Sequence, residues 1–107
     1  MSARVGSTSD NSLGGWYSYR ASKAAVNSIA KSVDIFLRQR CGDKAMCVSL
    51  HPGTVKTGLS EEFWGSTPVE KLFSPEFSVE KMIEVVNTVG VEGRGKCWDW
   101  KGTEILP

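Results

Sequence analysis

Between Tyr17 and Arg40 the chain carries neither glycine nor proline, and Val26, Ile29, Ala30, Val33, Phe36 and Leu37 recur at steps of three and four. That period predicts an amphipathic helix. Arg38 and Arg40 suit the negative end of its dipole, and Gly42 suits its stop. Steps of four and three from Tyr19 run through positions 19, 23, 26, 30, 33 and 37, the stripe expected to pack inward, with Asn27 facing away from it. Residues 1–15, rich in Ser, Gly and Asn, read as a loop leading into the helix. Residues 45–50 form a short, mostly apolar run between Gly42-Asp43 and Pro52-Gly53, the pattern of a strand buried on both faces. Residues 54–75 read as a long binding or lid loop with helical turns near 59–64, and Phe63, Trp64, Leu72 and Phe73 either line a pocket or anchor the loop. A second helix is predicted over 78–89, with Ser78 as N-cap and a stop at Gly90. A strand over 96–100 follows, then a turn and a tail. Helix, strand, helix and strand in this order predict an α/β fold built on a βαβ unit.

Length and charge narrow the classes. The chain has 107 residues and a formal net charge of +1, so one compact unit is expected, with no field that would favour nucleic acid or an anionic membrane. Cys41, Cys47 and Cys97 are scattered and odd in number, which predicts buried, reduced thiols rather than a disulfide framework or a metal site. No apolar stretch reaches membrane-span length and no secretory pattern opens the chain, so a soluble cytoplasmic protein is expected.

Tyr19 and Lys23 are four apart, so their side chains share one helix face. An ammonium beside a phenol favours the phenolate, which suits general acid/base work on an alcohol or carbonyl. In α/β sheets a helix begins beside the carboxyl end of the preceding strand, where ligands bind. His51, the only histidine, has no partner at metal-ligand spacing and is expected to be structural.

The run Tyr17-Ser18-Tyr19-Arg20-Ala21-Ser22-Lys23-Ala24-Ala25-Val26-Asn27, followed after a predicted strand by His51-Pro52-Gly53-Thr54-Val55-Lys56-Thr57, resembles the C-terminal part of the short-chain dehydrogenase/reductase family. The resemblance extends over the whole chain and is nearest the carbonyl-reductase-like branch that includes the C-factor and sniffer proteins. It implies a Rossmann-type doubly wound parallel sheet and an NAD- or NADP-dependent oxidoreductase acting on a small carbonyl or alcohol. Tyr19 would exchange a proton with the substrate oxygen, and Lys23 would bind the cofactor ribose hydroxyls and support the phenolate. Pro52, Gly53, Val55 and Thr57 would meet the nicotinamide end. Gly53 allows close backbone approach, Val55 would use its backbone on the carboxamide, and Thr57 would add a hydroxyl. The family also uses a serine beside the tyrosine. Ser7 is favoured over Ser2 for that role, while Ala3 stands near the expected slot.

The glycine-rich phosphate turn of the family's N-terminal half is absent from this sequence. Residues 1–107 are therefore expected to form a partial domain with half a cofactor site. An alternative from the same resemblance is a non-catalytic remnant acting as an interaction or dimerisation module through its two helices, since in the family the active-site helix and the following long helix commonly form a dimer interface and the intact protein is expected to be a homo-oligomer.

Overall fold

The computed structural model describes residues 1–63 and 65–107. The long helix, α1 (Tyr17–Cys41), follows its sequence pattern almost to the residue and is closed by Gly42 at φ 59°. β1 (Ser49–His51), β2 (Thr54–Val55), β3 (Leu72–Phe73), α2 (Pro75–Thr88), β4 (Cys97–Asp99) and β5 (Glu104–Ile105) complete the order, joined by short 3₁₀ turns. β1 pairs parallel with β4 in the register Leu50 to Trp98, and β5 runs antiparallel along the other side of β4. β1, α2 and β4 therefore make the expected βαβ crossover.

Side chains alternate across β4. Asp99 meets the Arg4 guanidinium at 2.8 Å, whereas the Trp98 indole turns the other way and donates to the Gly93 carbonyl at 3.0 Å. The segment packed on α1 thus covers one face and the α2 connection covers the other, as in a doubly wound sheet. Gly6 lies where the chain crosses α1. A Cβ there would stand 2.7 Å from the Lys23 carbonyl carbon and 2.9 Å from the Ala24 nitrogen, so only glycine fits this backbone crossing.

Several expectations are corrected. The strand expected over 45–50 is only Ser49–His51, because the backbone before it is used by side chains. The Ala45 carbonyl accepts from Arg94 at 2.8 Å, and the Cys47 amide donates to Asp34 at 2.9 Å. Helix α2 starts at Pro75, and its N-cap is Ser74, whose side chain accepts from the Phe77 amide. Ser78 lies buried inside the helix instead of capping it. The stretch expected as loop contains the parallel pair β2–β3 as well as a 3₁₀ turn over Gly58–Phe63. The predicted turns partly match this element, and Trp64 lies outside the described residues. The tail holds β5, and the strands found near 45–50 and 96–100 pair with each other in parallel. Cysteine burial is uneven, with Cys97 buried, Cys47 half-buried and Cys41 exposed.

The inward face of α1 keeps positions 23, 26, 30 and 37 of its expected stripe but is broadened toward a polar flank. Residues 20, 23, 24, 26, 27, 30, 34 and 37 are buried or half-buried, whereas Tyr19, Ile29, Val33 and Phe36 are exposed. Asn27 and Asp34 face inward because each has a dedicated partner. Asp34 accepts two hydrogen bonds from Arg94 Nε at 3.0 and 3.1 Å and one from Cys47. Burial alone would raise its carboxyl pKa, but the Cys47 amide and the Arg94 guanidinium more than offset this and hold it below the usual range. Among the described residues, no helix is long and apolar enough to cross a membrane.

Candidate active site

Tyr19 and Lys23 occupy the first two turns of α1, with the Lys23 ammonium 5.8 Å from the Tyr19 ring centroid. Tyr19 is 46% exposed and Lys23 is half-buried, so the phenol stands at the edge of the inward face. Lys23 Nζ is also 3.5 Å from the Met1 carbonyl. The helix entrance is organised by Arg20, whose guanidinium donates to the carbonyls of Gly14, Gly15 and Val5 at 3.0–3.3 Å. Trp16, the residue before the helix, is held at φ 47°, a left-handed conformation unusual for a non-glycine.

Ser2 and Ser7 go to different places. The Ser2 amide donates to the Leu50 carbonyl at 2.8 Å, so Met1-Ser2 lies along β1 like the end of a neighbouring strand. The Ser2 hydroxyl donates to Asn27 Oδ1 at 2.6 Å. Ser7 is buried. Its hydroxyl donates to the Leu106 carbonyl and accepts from the Asp10 amide at 3.1 Å. It lines a hollow of 120 Å³ with Arg20, Ala21 and Ala24 of α1. Ala3, also buried, follows Ser2 at the strand end.

Pro52, Gly53, Val55 and Thr57 leave the carboxyl end of β1 together. Val55 is registered against Phe73, and the Lys56 amide donates to the Phe73 carbonyl at 2.8 Å. The Ser60 hydroxyl donates to the Val55 carbonyl and accepts from the Thr57 amide at 3.2 Å. Gly53 has φ 78°, and a Cβ on it would stand 2.5 Å from the Phe73 ring and 3.1 Å from Trp100. Its glycine is thus required by its conformation and by these rings. Phe73 meets Trp100 edge-on and Phe77 at a tilt, with centroids 4.5 and 4.9 Å apart, so it anchors the loop. The side chains of Phe63 and Trp64 lie outside the described residues.

His51 ends β1 beneath the Arg4–Asp99 ion pair. Burial, with the Arg4 charge adding to it, pushes its pKa down to about 4. Its Nδ1 is buried without a hydrogen-bond partner among the described residues. Cys97 sits on the same face, and burial pushes its thiol pKa up, which makes it unreactive. Sequence reasoning missed Asn27, Ser78 and Arg20. Ser74-Pro75 was a legible helix-start signal, but nothing in the sequence marked which partners the others would reach.

An ammonium, a phenol and a Pro-Gly backbone turn are groups that fit a ribose diol and a carboxamide. The sequence holds no glycine-rich turn after a strand for a pyrophosphate. No family model matches the chain. It is 35% identical over 105 residues to C-signal of Myxococcus xanthus, covering 98% of this chain and 57% of that protein. It is 34% identical over 103 residues to 1-hydroxy-2-glutathionyl-2-methyl-3-butene dehydrogenase of Rhodococcus sp. (strain AD45), covering 96% and 43%. Among solved structures it superposes on the carbonyl reductase Sniffer of D. melanogaster with TM-score 0.83 and 33% identity, over 100% of this chain and 39% of that one. The NADPH-bound carbonyl reductase from chicken fatty liver gives TM-score 0.80 and 29% identity, over 99% and 40%. The chain spans about half the length of the curated relatives it matches. Sequence and fold together show that it belongs to the short-chain dehydrogenase/reductase family and corresponds to the C-terminal part of its members.

Proposed function

We propose that this chain supplies the proton-handling half of an NAD(P)-dependent oxidoreductase acting on a small carbonyl or alcohol. The observation that carries the proposal is the Lys23 ammonium held 5.8 Å from the Tyr19 ring, at the end of α1 nearest the carboxyl edge of a parallel sheet. Ligands of open α/β folds bind at that edge. Tyr19 Oη exchanges a proton with the substrate oxygen, and Lys23 binds ribose hydroxyls. Pro52, Gly53, Val55 and Thr57 meet the nicotinamide end, which supplies or accepts the hydride when bound. Ser7, its hydroxyl engaged by Leu106, is assigned to holding the C-terminal tail. The relatives support the chemistry, since they include a dehydrogenase and an NADPH-bound carbonyl reductase.

The exposed Ile29, Val33 and Phe36 on α1 and Val79, Ile83 and Val86 on α2 favour a second reading, in which these faces dock on another protein or a second copy. Calorimetric titration separates the two readings. As half a site, the chain is expected to bind neither NAD nor NADP tightly, yet to respond to millimolar nicotinamide mononucleotide at Tyr19, Lys23 and residues 52–57. Micromolar dinucleotide binding would refute the half-site, and silence toward the mononucleotide would leave only the docking reading.

A further inference from the structure

We propose that Ser78 is a positioning residue that aims the Gly53 amide into the candidate site, an inference that rests on residues 52–57 meeting the nicotinamide end. Ser78 lies in the second turn of α2 and is 1% exposed. Its hydroxyl donates to the Pro52 carbonyl at 2.8 Å, across 26 residues of sequence. The peptide between Pro52 and Gly53 is trans, and in a trans peptide the C=O and N–H point in opposite directions. Pinning the Pro52 oxygen onto α2 therefore turns the Gly53 N–H away from α2. It becomes a donor toward the side of the sheet on which Tyr19 and Lys23 stand.

A second constraint acts on the same residue. Phe73 and Trp100 close the space that a Gly53 Cβ would fill, so the residue can neither slide toward the rings nor take a side chain. The helix bonds the oxygen and the rings hold the α-carbon, which leaves the N–H as the outward-facing group. An acceptor oxygen of the mononucleotide half, carboxamide or phosphate, is the group it would receive. Ser78 touches no ligand in this arrangement, because it acts through the orientation of one peptide plane.

The test uses the whole chain with nicotinamide mononucleotide as probe, followed by amide NMR. Ser78→Ala is expected to move the Gly53 amide resonance in the ligand-free protein and to weaken mononucleotide binding about five- to tenfold, the loss of one oriented hydrogen bond. Ser78→Cys, with a weak donor of nearly the same volume, should fall between the two. The Tyr19 and Lys23 side-chain resonances should stay in place, whereas a merely structural serine would shift amides along α2 and leave affinity unchanged. An unmoved Gly53 with wild-type affinity in Ser78→Ala overturns the inference and leaves the site intact. A wild-type chain whose residues 19, 23 and 52–57 ignore the mononucleotide overturns the site and the inference together.

Discussion

The two ends of the sheet handle polar groups in opposite ways. At the amino end, Arg94 is almost wholly buried and spends its donors on Asp34, on the Gly42 and Ala45 carbonyls and on Asp43. Asp34 in turn satisfies the Cys47 amide. Every group in this cluster faces a partner within the chain, so the cluster can do little except hold α1 to the sheet. At the carboxyl end Tyr19 stands half-exposed, Lys23 lies 5.8 Å from its ring and 3.5 Å from the Met1 carbonyl, and His51 buries an Nδ1 that has no hydrogen-bond partner among the described residues. Unsatisfied polarity costs stability, and it persists where a site must bind something else. The difference separates an end whose polar groups are spent on holding the fold from an end that keeps groups available for the proposed site.

Breaking the closed end should have the largest effect. Arg94→Leu strands the Asp34 carboxylate in the interior, and loss of one partner of a buried ion pair costs about 3–5 kcal/mol. Urea denaturation should report this, and Asp34→Leu should cost a similar amount because it strands the guanidinium and the Cys47 amide. A loss below about 1 kcal/mol would show that the cluster is not closed as described.

The His51 imidazole should come next. Burial, aided by the Arg4 charge, pushes its pKa from an ordinary 6.5 down to about 4 in the folded chain, so between those values the unfolded chain binds a proton that the native chain refuses. Stability should be full above pH 6.5 and fall as the pH drops toward 4, by up to about 3 kcal/mol. His51→Gln should flatten that window in a series of melts, and an unchanged slope would place the titration elsewhere. Gly53→Ala meets both the positive φ and the Phe73 ring, with an expected loss of about 1–3 kcal/mol. Smallest is Tyr19→Phe. The half-exposed hydroxyl should change stability by less than about 0.5 kcal/mol, yet in a complete enzyme its loss should abolish turnover while cofactor binding persists. A Tyr19→Phe enzyme retaining most of its kcat would end the comparison.

How much of this was legible in the sequence follows from the range of the forces involved. Periodicity located α1, β4 and most of α2, because an apolar repeat or a glycine stop is written in consecutive residues. The i,i+4 rule placed Tyr19 beside Lys23 for the same reason, since helix geometry alone brings those positions together. The family motifs located Pro52 to Thr57 as one segment. The polar flank of the α1 inward face, with Asn27 bonded to Ser2 and Asp34 to Arg94 across 60 residues, and the bond from Ser78 to Pro52 were invisible. In each, a polar residue is buried because a distant partner satisfies it, and no local pattern records that partner. Ser7 shows the same limit, since its spacing from Tyr19 suggested chemistry but its hydroxyl meets Leu106, 99 residues away. Local sequence determined where the helices run and which two side chains stand together. Only the tertiary structure decided which polar groups are spent on holding the fold and which remain available to a ligand, because that depends on contacts between residues far apart in the chain.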